Sequence, residues 1–331
     1  RIDTADPKTP VFVYPCTSVG MRFTGNVLKI AVRNKNVYWD NFLGCILDGE
    51  QTSLLLPKSG EAVLDIPVKE TADGEHEVLF FKRQDSCHEL TVLGFENARL
   101  LDMPEKPKRK IEVYGDSVSA GEVSEAMDHI GKTDPEHNGE YSNSWYSYAW
   151  MTARNLNAQI HDTAQGGIAL IDKTGWFCEP EAVGMESTWD KIEYHPLLGP
   201  AVRWEFDRYT PQVVIVAIGQ NDSHPVDYMK EDYDGEKSVI WREHYEAFLR
   251  KLRKQYPDAQ IICCTTLLEH DENWDRSIGE AVHRIKDPKI TQYRFRRNGR
   301  GTPGHLRIPE AREMADELTA YIETLEIEGW D

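Results

Sequence analysis

The apolar and polar residues of the first third of the chain alternate over short runs. Between residues 10 and 103, runs such as VGMRFTG, NVLKIAVRN and HEVLFFKR are separated by Gly, Pro, Asn and Asp. Short alternating runs broken by turn-forming residues are typical of all-β sandwiches, because successive side chains of a strand point to opposite faces. The pattern predicts a jelly-roll sandwich over residues 1–106, ending in the charged, proline-containing stretch MPEKPKRK.

After this stretch the period of the apolar residues changes. IEVYGDS, PQVVIVAIGQND and AQIICCTTLLE are nearly continuous apolar runs that end in polar residues, whereas NSWYSYAWMTARNLN and IWREHYEAFLRKLRKQYP have helical spacing. A last helix is predicted to begin at Pro309. Strands that alternate with helices predict an α/β domain with a parallel sheet over residues 107–331, whose functional loops follow the carboxyl ends of the strands.

Composition narrows the classes of partner. The 331 residues are 40% hydrophobic and 28% charged, as in a soluble globular protein, and 56 acidic against 38 basic residues give a net charge of −18. This charge disfavours nucleic acid and anionic membranes as partners, and no apolar run approaches the ~18 residues of a membrane span. The acidic net charge excludes neither a single chain nor a homo-oligomer. Five arginines cluster late in the chain, either as a solvated loop or subunit contact, or as a contact to substrate: Arg294, Arg296, Arg297, Arg300 and Arg307.

The cysteines and the N-terminus bear on localisation. None of the six cysteines forms a Cys-x-x-Cys pair, and Cys263 and Cys264 lie inside an apolar run, so we expect reduced, structural thiols. RIDTADPKTP lacks the apolar region of a signal peptide. These features weakly favour a cytoplasmic protein. They do not exclude secretion, because a leader could have been trimmed from the N-terminus.

Four short stretches follow predicted strands or precede the last helix. They are GDS at 115–117, QGGIAL at 165–170, GQND at 219–222 and GHL at 304–306. Each is weak evidence alone, since a serine after a strand is usually a helix cap and a loop histidine is usually inert. Together they supply a hydroxyl, a base and several oxyanion donors, which are the parts that acyl transfer by a serine requires.

The order Ser, Gly, Asn, His resembles the block order of the SGNH (GDS-type) hydrolases over residues 110–325. In addition, VGMRFTGNVLKIAV, FLGCILDGE, HEVLFFKR and LTVLGFE resemble the N-terminal sandwich of carbohydrate esterase family 2. The resemblance implies a flavodoxin-like, three-layer α/β/α catalytic domain. It also implies an enzyme that removes acetyl groups from plant polysaccharides.

The resemblance assigns roles to single residues. It implies Ser117 as nucleophile and His305 as general base. The oxyanion hole would comprise the backbone N–H groups of Ser117 and Gly167 and the side-chain amide of Asn221, with Gly166 as the alternative donor in the second block.

The sequence departs from the superfamily pattern next to His305. An Asp normally stands three residues before this histidine, but here the position is Thr302, and no carboxylate lies between Asp287 and Glu310. We therefore expect a Ser-His dyad in which a backbone carbonyl orients the imidazole. The departure also leaves a degenerate, non-catalytic site as an alternative.

Other residues near these stretches are candidates for substrate contact. An aromatic face complements the apolar face of a sugar ring, which favours Trp274 and, as a second choice, Trp176. His224 lies beside the third stretch, where contact with substrate and a structural turn at Pro225 are both open. Asp116 stands next to the nucleophile, and we expect Asp116 and Asp222 to brace their loops rather than to act as acid or base.

We therefore predict a serine O-acetylesterase that acts on acetylated mannan, glucomannan or xylan through an acetyl-enzyme. No cofactor or metal is expected, because the chain lacks His-Glu-x-x-His and the glycine-rich phosphate loops. Two alternatives remain: a carbohydrate-binding protein, and a short-chain esterase or lipase with another substrate. The polar, acidic stretches EAMDHIGKTDPEHNGEYSNS and LEHDENWDRSIGE favour a hydrated, sugar-like substrate over a lipid.

Overall fold

The computed structural model describes residues 1–85, 87–96 and 98–330. Its first part contains ten strands, in the described residues, all before residue 102. They are β1 (Ile2–Asp3), β2 (Val11–Phe12), β3 (Ser18–Thr24), β4 (Val27–Asn36), β5 (Phe42–Leu47), β6 (Glu50–Leu55), β7 (Ser59–Pro67), β8 (Glu75–Lys82), β9 (His88–Glu96) and β10 (Arg99–Leu101).

These strands form two five-stranded antiparallel sheets, with orders β1-β2-β9-β4-β7 and β10-β3-β8-β5-β6. Along β4, buried side chains alternate with more exposed ones, so one face of the strand meets the opposite sheet. The core between the sheets includes Phe12, Phe23, Leu28, Ile30, Val32 and Phe80. The predicted β-sandwich is confirmed, and in central strands such as β4 every second residue from Leu28 to Val32 is apolar and buried.

The second part alternates strands with helices. Its strands are β11 (Arg109–Gly115), β12 (Ala158–Ala164), β13 (Lys191–Glu193), β14 (Val202–Arg203), β15 (Val213–Ala217), β16 (Gln260–Cys263) and β17 (Ile290–Gln292). Its α-helices are α1 (Ser117–Ala120), α2 (Tyr148–Asn155), α3 (Met185–Thr188), α4 (Tyr228–Glu231), α5 (Glu236–Gln255), α6 (Glu272–Ile285) and α7 (Ile308–Glu323). Short 3₁₀ turns occupy Met127–His129, Ser144–Tyr146, Phe206–Arg208 and Gln220–Ser223.

Five of these strands make one parallel sheet in the order β12-β11-β15-β16-β17. This is the 2-1-3-4-5 order of flavodoxin-like sheets, in which ligands bind where the order reverses, beyond the carboxyl ends of the first and third strands. Here these are β11 and β15. Gly115 is in register with Ala164 of β12 and Ala217 of β15, so the first three predicted stretches all begin at one level of the sheet.

Helices cover both faces of this sheet. Helices α2 and α7 pack with Ile111 and Val113 of β11, whereas α5 and α6 pack on the side of Tyr114. Adjacent residues of a buried strand face opposite layers, which is why Val113 and Tyr114 are both apolar. The predicted three-layer α/β/α domain is confirmed.

The two parts meet over polar as well as apolar contacts. A buried ion pair joins the Arg1 Nε to the Glu112 Oε1 of β11 at 3.0 Å. The predicted boundary near residue 106 falls between the end of β10 at Leu101 and the start of β11 at Arg109, and it stays a prediction.

Two further features complete the fold. All six cysteines are free thiols, and five of them are buried. None of the helices in the described residues is long and apolar enough to cross a membrane.

Candidate active site

Ser117 lies where the central sheet meets its first helix. Strand β11 ends at Gly115, and Asp116 caps α1 by accepting a hydrogen bond from the Val118 N–H at 3.0 Å. A Cβ on Gly115 would stand 2.1 Å from the Ser119 Oγ, so only glycine fits this tight strand-to-helix turn. Ser117 is thereby the first residue of α1, with its hydroxyl at the floor of a cleft.

His305, from the loop before α7, meets this hydroxyl. The His305 Nε2 lies 2.6 Å from the Ser117 Oγ. On the other side of the ring, Nδ1 lies 2.6 Å from the Asp134 Oδ2. Because a carboxylate only accepts hydrogen bonds, Nδ1 carries a proton and Nε2 is free to accept the proton of the serine.

The predicted dyad, with a backbone carbonyl on the imidazole, is therefore wrong. A carboxylate is present, but it comes from Asp134, 171 residues before His305 in the chain. Thr302, at the expected position, is buried and its hydroxyl accepts from the Gly304 N–H at 3.4 Å. Asp134 belongs to a loop, and its chain position gives no signal that tertiary folding brings it to His305.

Four donors surround the Asp134 carboxylate. Its Oδ1 accepts from the His305 backbone N–H and the Arg307 Nη2, both at 2.9 Å, and its Oδ2 also faces the His137 Nε2 at 3.3 Å. Burial raises the pKa of this carboxyl, but hydrogen bonds from His137, His305 and Arg307 outweigh that effect and hold the pKa well below its usual value. Arg307 of the arginine cluster thus lies in the site, behind Asp134.

The surroundings of His305 change the pKa of its imidazole. Burial lowers its pKa, but the hydrogen bond to Asp134 and the charges of Glu122 and Asp134 outweigh burial, and the pKa is raised above its ordinary value of 6.5. His305 is therefore a stronger base than a free imidazole.

The second stretch supplies a backbone donor to the cleft. The Gly166 N–H donates to the Asp85 Oδ2 at 2.7 Å, so it is already occupied. Among the described residues, the Gly167 N–H makes no hydrogen bond to a backbone carbonyl. Gly167 has φ of +73°, a conformation that favours glycine, and it lines the cleft. This geometry favours Gly167 over Gly166 as an oxyanion donor.

Asn221 supplies a side-chain amide at the same place. It lies in the 3₁₀ turn after β15, and its Nδ2 is 3.1 Å from the Ile168 carbonyl and 3.3 Å from the Asp116 Oδ2. Asp116 thus braces both the nucleophile turn and Asn221, as expected for a bracing carboxylate. Burial raises its pKa to about 6.

Asp222 braces the second stretch. Its carboxylate accepts from the backbone N–H groups of Leu170 at 2.8 Å and Ile171 at 3.2 Å. Burial raises its pKa to about 7. Asp222 therefore ties the turn after β15 to the loop that carries Gly167.

The cleft above these residues has a volume of about 990 Å³. It is lined by residues of both parts of the chain, since Tyr38 and Trp39 of the sandwich face the site. The acidic residues that line it are Asp116, Glu122, Asp134, Asp227 and Glu269. A cleft of this size is at the upper end of the range that binds small organic ligands.

The two candidate tryptophans differ in position. Trp176 is 58% exposed, lines the cleft and stacks on the His224 ring at a centroid distance of 3.3 Å. His224 also bonds Glu179 at 3.2 Å, so it supports the tryptophan. The prediction that Trp274 contacts the substrate is wrong, because this side chain is 0% exposed. Its Nε1 donates a hydrogen bond to Asp227 at 3.1 Å. Trp274 lies in the amphipathic helix α6, whose buried face also includes Ile278 and Ala281.

One group of side chains in the described residues has ligand-type atoms within 4.8 Å of one another, namely Asp134, His137 and His305. These atoms hydrogen-bond to each other, and that network accounts for their proximity.

The chain is similar to known carbohydrate esterases. Residues 1–104 match the family described as Carbohydrate esterase 2 N-terminal. A family two carbohydrate esterase from Clostridium thermocellum, solved in complex with cellohexaose, is 27% identical with a TM-score of 0.80, covering 98% of this chain and 96% of that one.

The chain is similar to family 2 carbohydrate esterases along nearly its whole length. Two curated relatives agree with this. The cellulase/esterase CelE of Acetivibrio thermocellus is 29% identical over 97% of this chain, and the acetylxylan esterase / glucomannan deacetylase of Cellvibrio japonicus is 28% identical over 79%. The chain spans 38% of the length of CelE and 68% of the length of the Cellvibrio protein.

Proposed function

We propose that this chain is a serine carbohydrate O-acetylesterase. One observation carries the proposal: the Ser117 hydroxyl, the His305 imidazole and the Asp134 carboxylate are in hydrogen-bond contact, at 2.6 Å for each link, on the floor of an open cleft. A hydroxyl next to an oriented, neutral imidazole is an activated nucleophile. The relatives named as esterases support the same reaction class.

In the first half of the reaction, the Ser117 Oγ attacks the acetyl carbonyl carbon and its proton passes to the His305 Nε2. The tetrahedral oxyanion would accept hydrogen bonds from the backbone N–H groups of Ser117 and Gly167 and from the Asn221 amide, which would give up its 3.3 Å contact to Asp116. Its collapse breaks the bond to the sugar oxygen, which takes the proton from His305. The products are the deacetylated sugar and the acetyl-enzyme.

In the second half, water replaces the sugar. The His305 Nε2 takes a proton from this water as it attacks the acetyl carbon, and the second tetrahedral species expels the Ser117 oxygen. Acetate leaves, and the serine recovers its proton from His305.

The cleft supports a carbohydrate substrate. Trp176 presents an exposed ring, backed by His224, on which the apolar face of a pyranose can stack. Sugar hydroxyls can donate hydrogen bonds to the acidic groups at the cleft surface. The same groups disfavour an apolar acyl chain. We therefore propose acetylated mannan, glucomannan or xylan as substrate. Given the net charge of −18, we propose that nucleic acid and anionic membranes are not partners.

The binding-only alternative depended on the missing carboxylate at Thr302. Because Asp134 occupies the corresponding place on His305, that support is gone.

The test is acetate release from acetylated glucomannan and acetylated xylan by wild type, Ser117→Ala and His305→Ala, with binding to the same polymers measured in parallel. We expect wild type to release acetate, and both variants to retain binding while losing activity by at least about 10³-fold. Binding without acetate release by wild type would overturn the proposal. Activity that increases from acetyl to octanoyl esters would overturn the carbohydrate substrate.

A further inference from the structure

A second histidine lies behind the proposed triad, between two carboxylates. The His137 Nδ1 is 2.5 Å from the Glu122 Oε1, and its Nε2 is 3.3 Å from the Asp134 Oδ2. Carboxylates only accept hydrogen bonds, so both ring nitrogens of His137 must donate. This geometry requires the doubly protonated, positively charged imidazolium.

His137 also packs against the reacting histidine. Its ring centroid lies 5.5 Å from that of His305, with the planes inclined by 66°. On another side, Trp39 of the sandwich packs at 5.5 Å. The imidazolium is therefore flanked by the two carboxylates, the His305 ring and an aromatic ring, with 27% of its side chain exposed to the cleft.

We propose that His137, held by Glu122, is a positioning residue that fixes the Asp134 carboxylate against His305. The inference rests on the proposed function, since it concerns the same triad. It extends the chain of contacts from Ser117, His305 and Asp134 to His137 and Glu122.

The local backbone explains why Asp134 needs such an anchor. Residues 132–137 contain neither helix nor strand, so no backbone ladder holds this loop. Glu122, by contrast, lies just after α1, five residues beyond Ser117. The contact between Glu122 and His137 thus ties the loop of Asp134 to the segment that carries the nucleophile.

The two outer residues also act on His305 with opposite sign. The charge of Glu122 raises the pKa of His305, and the charge of His137 lowers it. Hydrogen bonds to Asp134 and Glu122 raise the pKa of His137 itself to about 10, so it stays charged wherever His305 titrates. The other charged groups that face His305 are Asp134, Asp116 and Arg307.

The test compares His137→Gln and Glu122→Gln with wild type on a small acetyl ester, with exposed His283→Gln on α6 as control. We expect His137→Gln to lower kcat by about 10- to 100-fold with KM nearly unchanged. The acid limb of its pH profile should move up by about one pH unit, and that of Glu122→Gln should move down, because each change removes one charge near His305. The control should match wild type.

Unchanged kcat in folded His137→Gln, or acid limbs that do not move in opposite directions, would overturn the inference. If His137→Gln does not fold, the test is the ¹⁵N chemical shifts of the His137 ring nitrogens, measured in Ser117→Ala. Both ring nitrogens should stay protonated at pH 8, and a neutral ring there would overturn the inference. If Ser117→Ala itself keeps full activity, the proposed function fails instead.

Discussion

The Asp85 carboxylate accepts a hydrogen bond from the Gly166 backbone N–H at 2.7 Å, and this bond joins the β-sandwich to the loop of the proposed oxyanion hole. The same oxygen accepts from the Gln165 Nε2 at 2.9 Å. A Cβ on Gly166 would stand 2.5 Å from this oxygen, so the contact also requires a glycine there. The sandwich thus helps to orient the next residue, Gly167, towards the cleft.

We predict that Asp85→Asn lowers kcat for acetate release by roughly 10-fold or more while KM changes little. The variant replaces a charge-assisted hydrogen bond, worth about 1.5–3 kcal/mol, by a weaker neutral one, and the Gly167 N–H loses its fixed direction. Steady-state kinetics on a small acetyl ester measure both constants.

The matched control is Asp65→Asn, which removes a largely exposed carboxylate of the same sandwich that pairs with Lys29 at 3.0 Å. It should behave like wild type, since exposed ion pairs contribute little. Equal kcat for Asp85→Asn and Asp65→Asn would show that the sandwich does not orient the loop.

The sequence allowed a prediction of the site wherever chemistry is tied to the end of a regular element. Ser117 follows β11 and His305 precedes α7, and the apolar periodicity predicts both elements. Asp134 and His137 lie in a loop without periodicity, so only tertiary contacts bring them to His305. The error at Trp274 has a related cause, because polar residues that surround it concealed the buried face of α6.

The raised pKa of His305 leads to a prediction about pH. Catalysis needs neutral His305, so activity should be lost as pH falls through this pKa, and the acid limb of wild type should lie above pH 6.5. In Asp134→Asn the carboxylate that raises the pKa is gone, so the acid limb should move to lower pH. The amide also fails to enforce the tautomer, and we expect kcat to fall by about 10²- to 10⁴-fold.

The profiles of kcat and of kcat/KM against pH for a small acetyl ester measure both effects. Asp128→Asn, an exposed carboxylate in the preceding turn, serves as the control and should leave the limb in place. An acid limb for Asp134→Asn at or above that of wild type would contradict the assigned contact.

The two tryptophans should separate binding from stability. We predict that Trp176→Ala raises KM for acetylated oligosaccharides roughly 10-fold, or about 1.4 kcal/mol, with little change for a small acetyl ester, because only the former offers a sugar ring to stack. Trp274→Phe should leave KM unchanged. It should lower the free energy of unfolding by about 1–3 kcal/mol, since it removes buried volume and the hydrogen bond to Asp227. The reverse pattern would restore Trp274 as the sugar contact.

Removing only one partner of the ion pair between Arg1 and Glu112 should strongly destabilise the folded protein. Both side chains are 0% exposed, and the Arg1 Nη2 also donates to the Tyr114 hydroxyl at 2.8 Å. Glu112→Gln leaves the guanidinium buried without a counter-charge, so we expect the free energy of unfolding to fall by about 3–5 kcal/mol. Replacing both partners together, as Arg1→Met with Glu112→Leu, should cost less than Glu112→Gln alone, because no unpaired charge remains. Urea unfolding of the three proteins measures this order. If the double variant is the least stable, the pair contributes through its own attraction and the argument from desolvation is wrong.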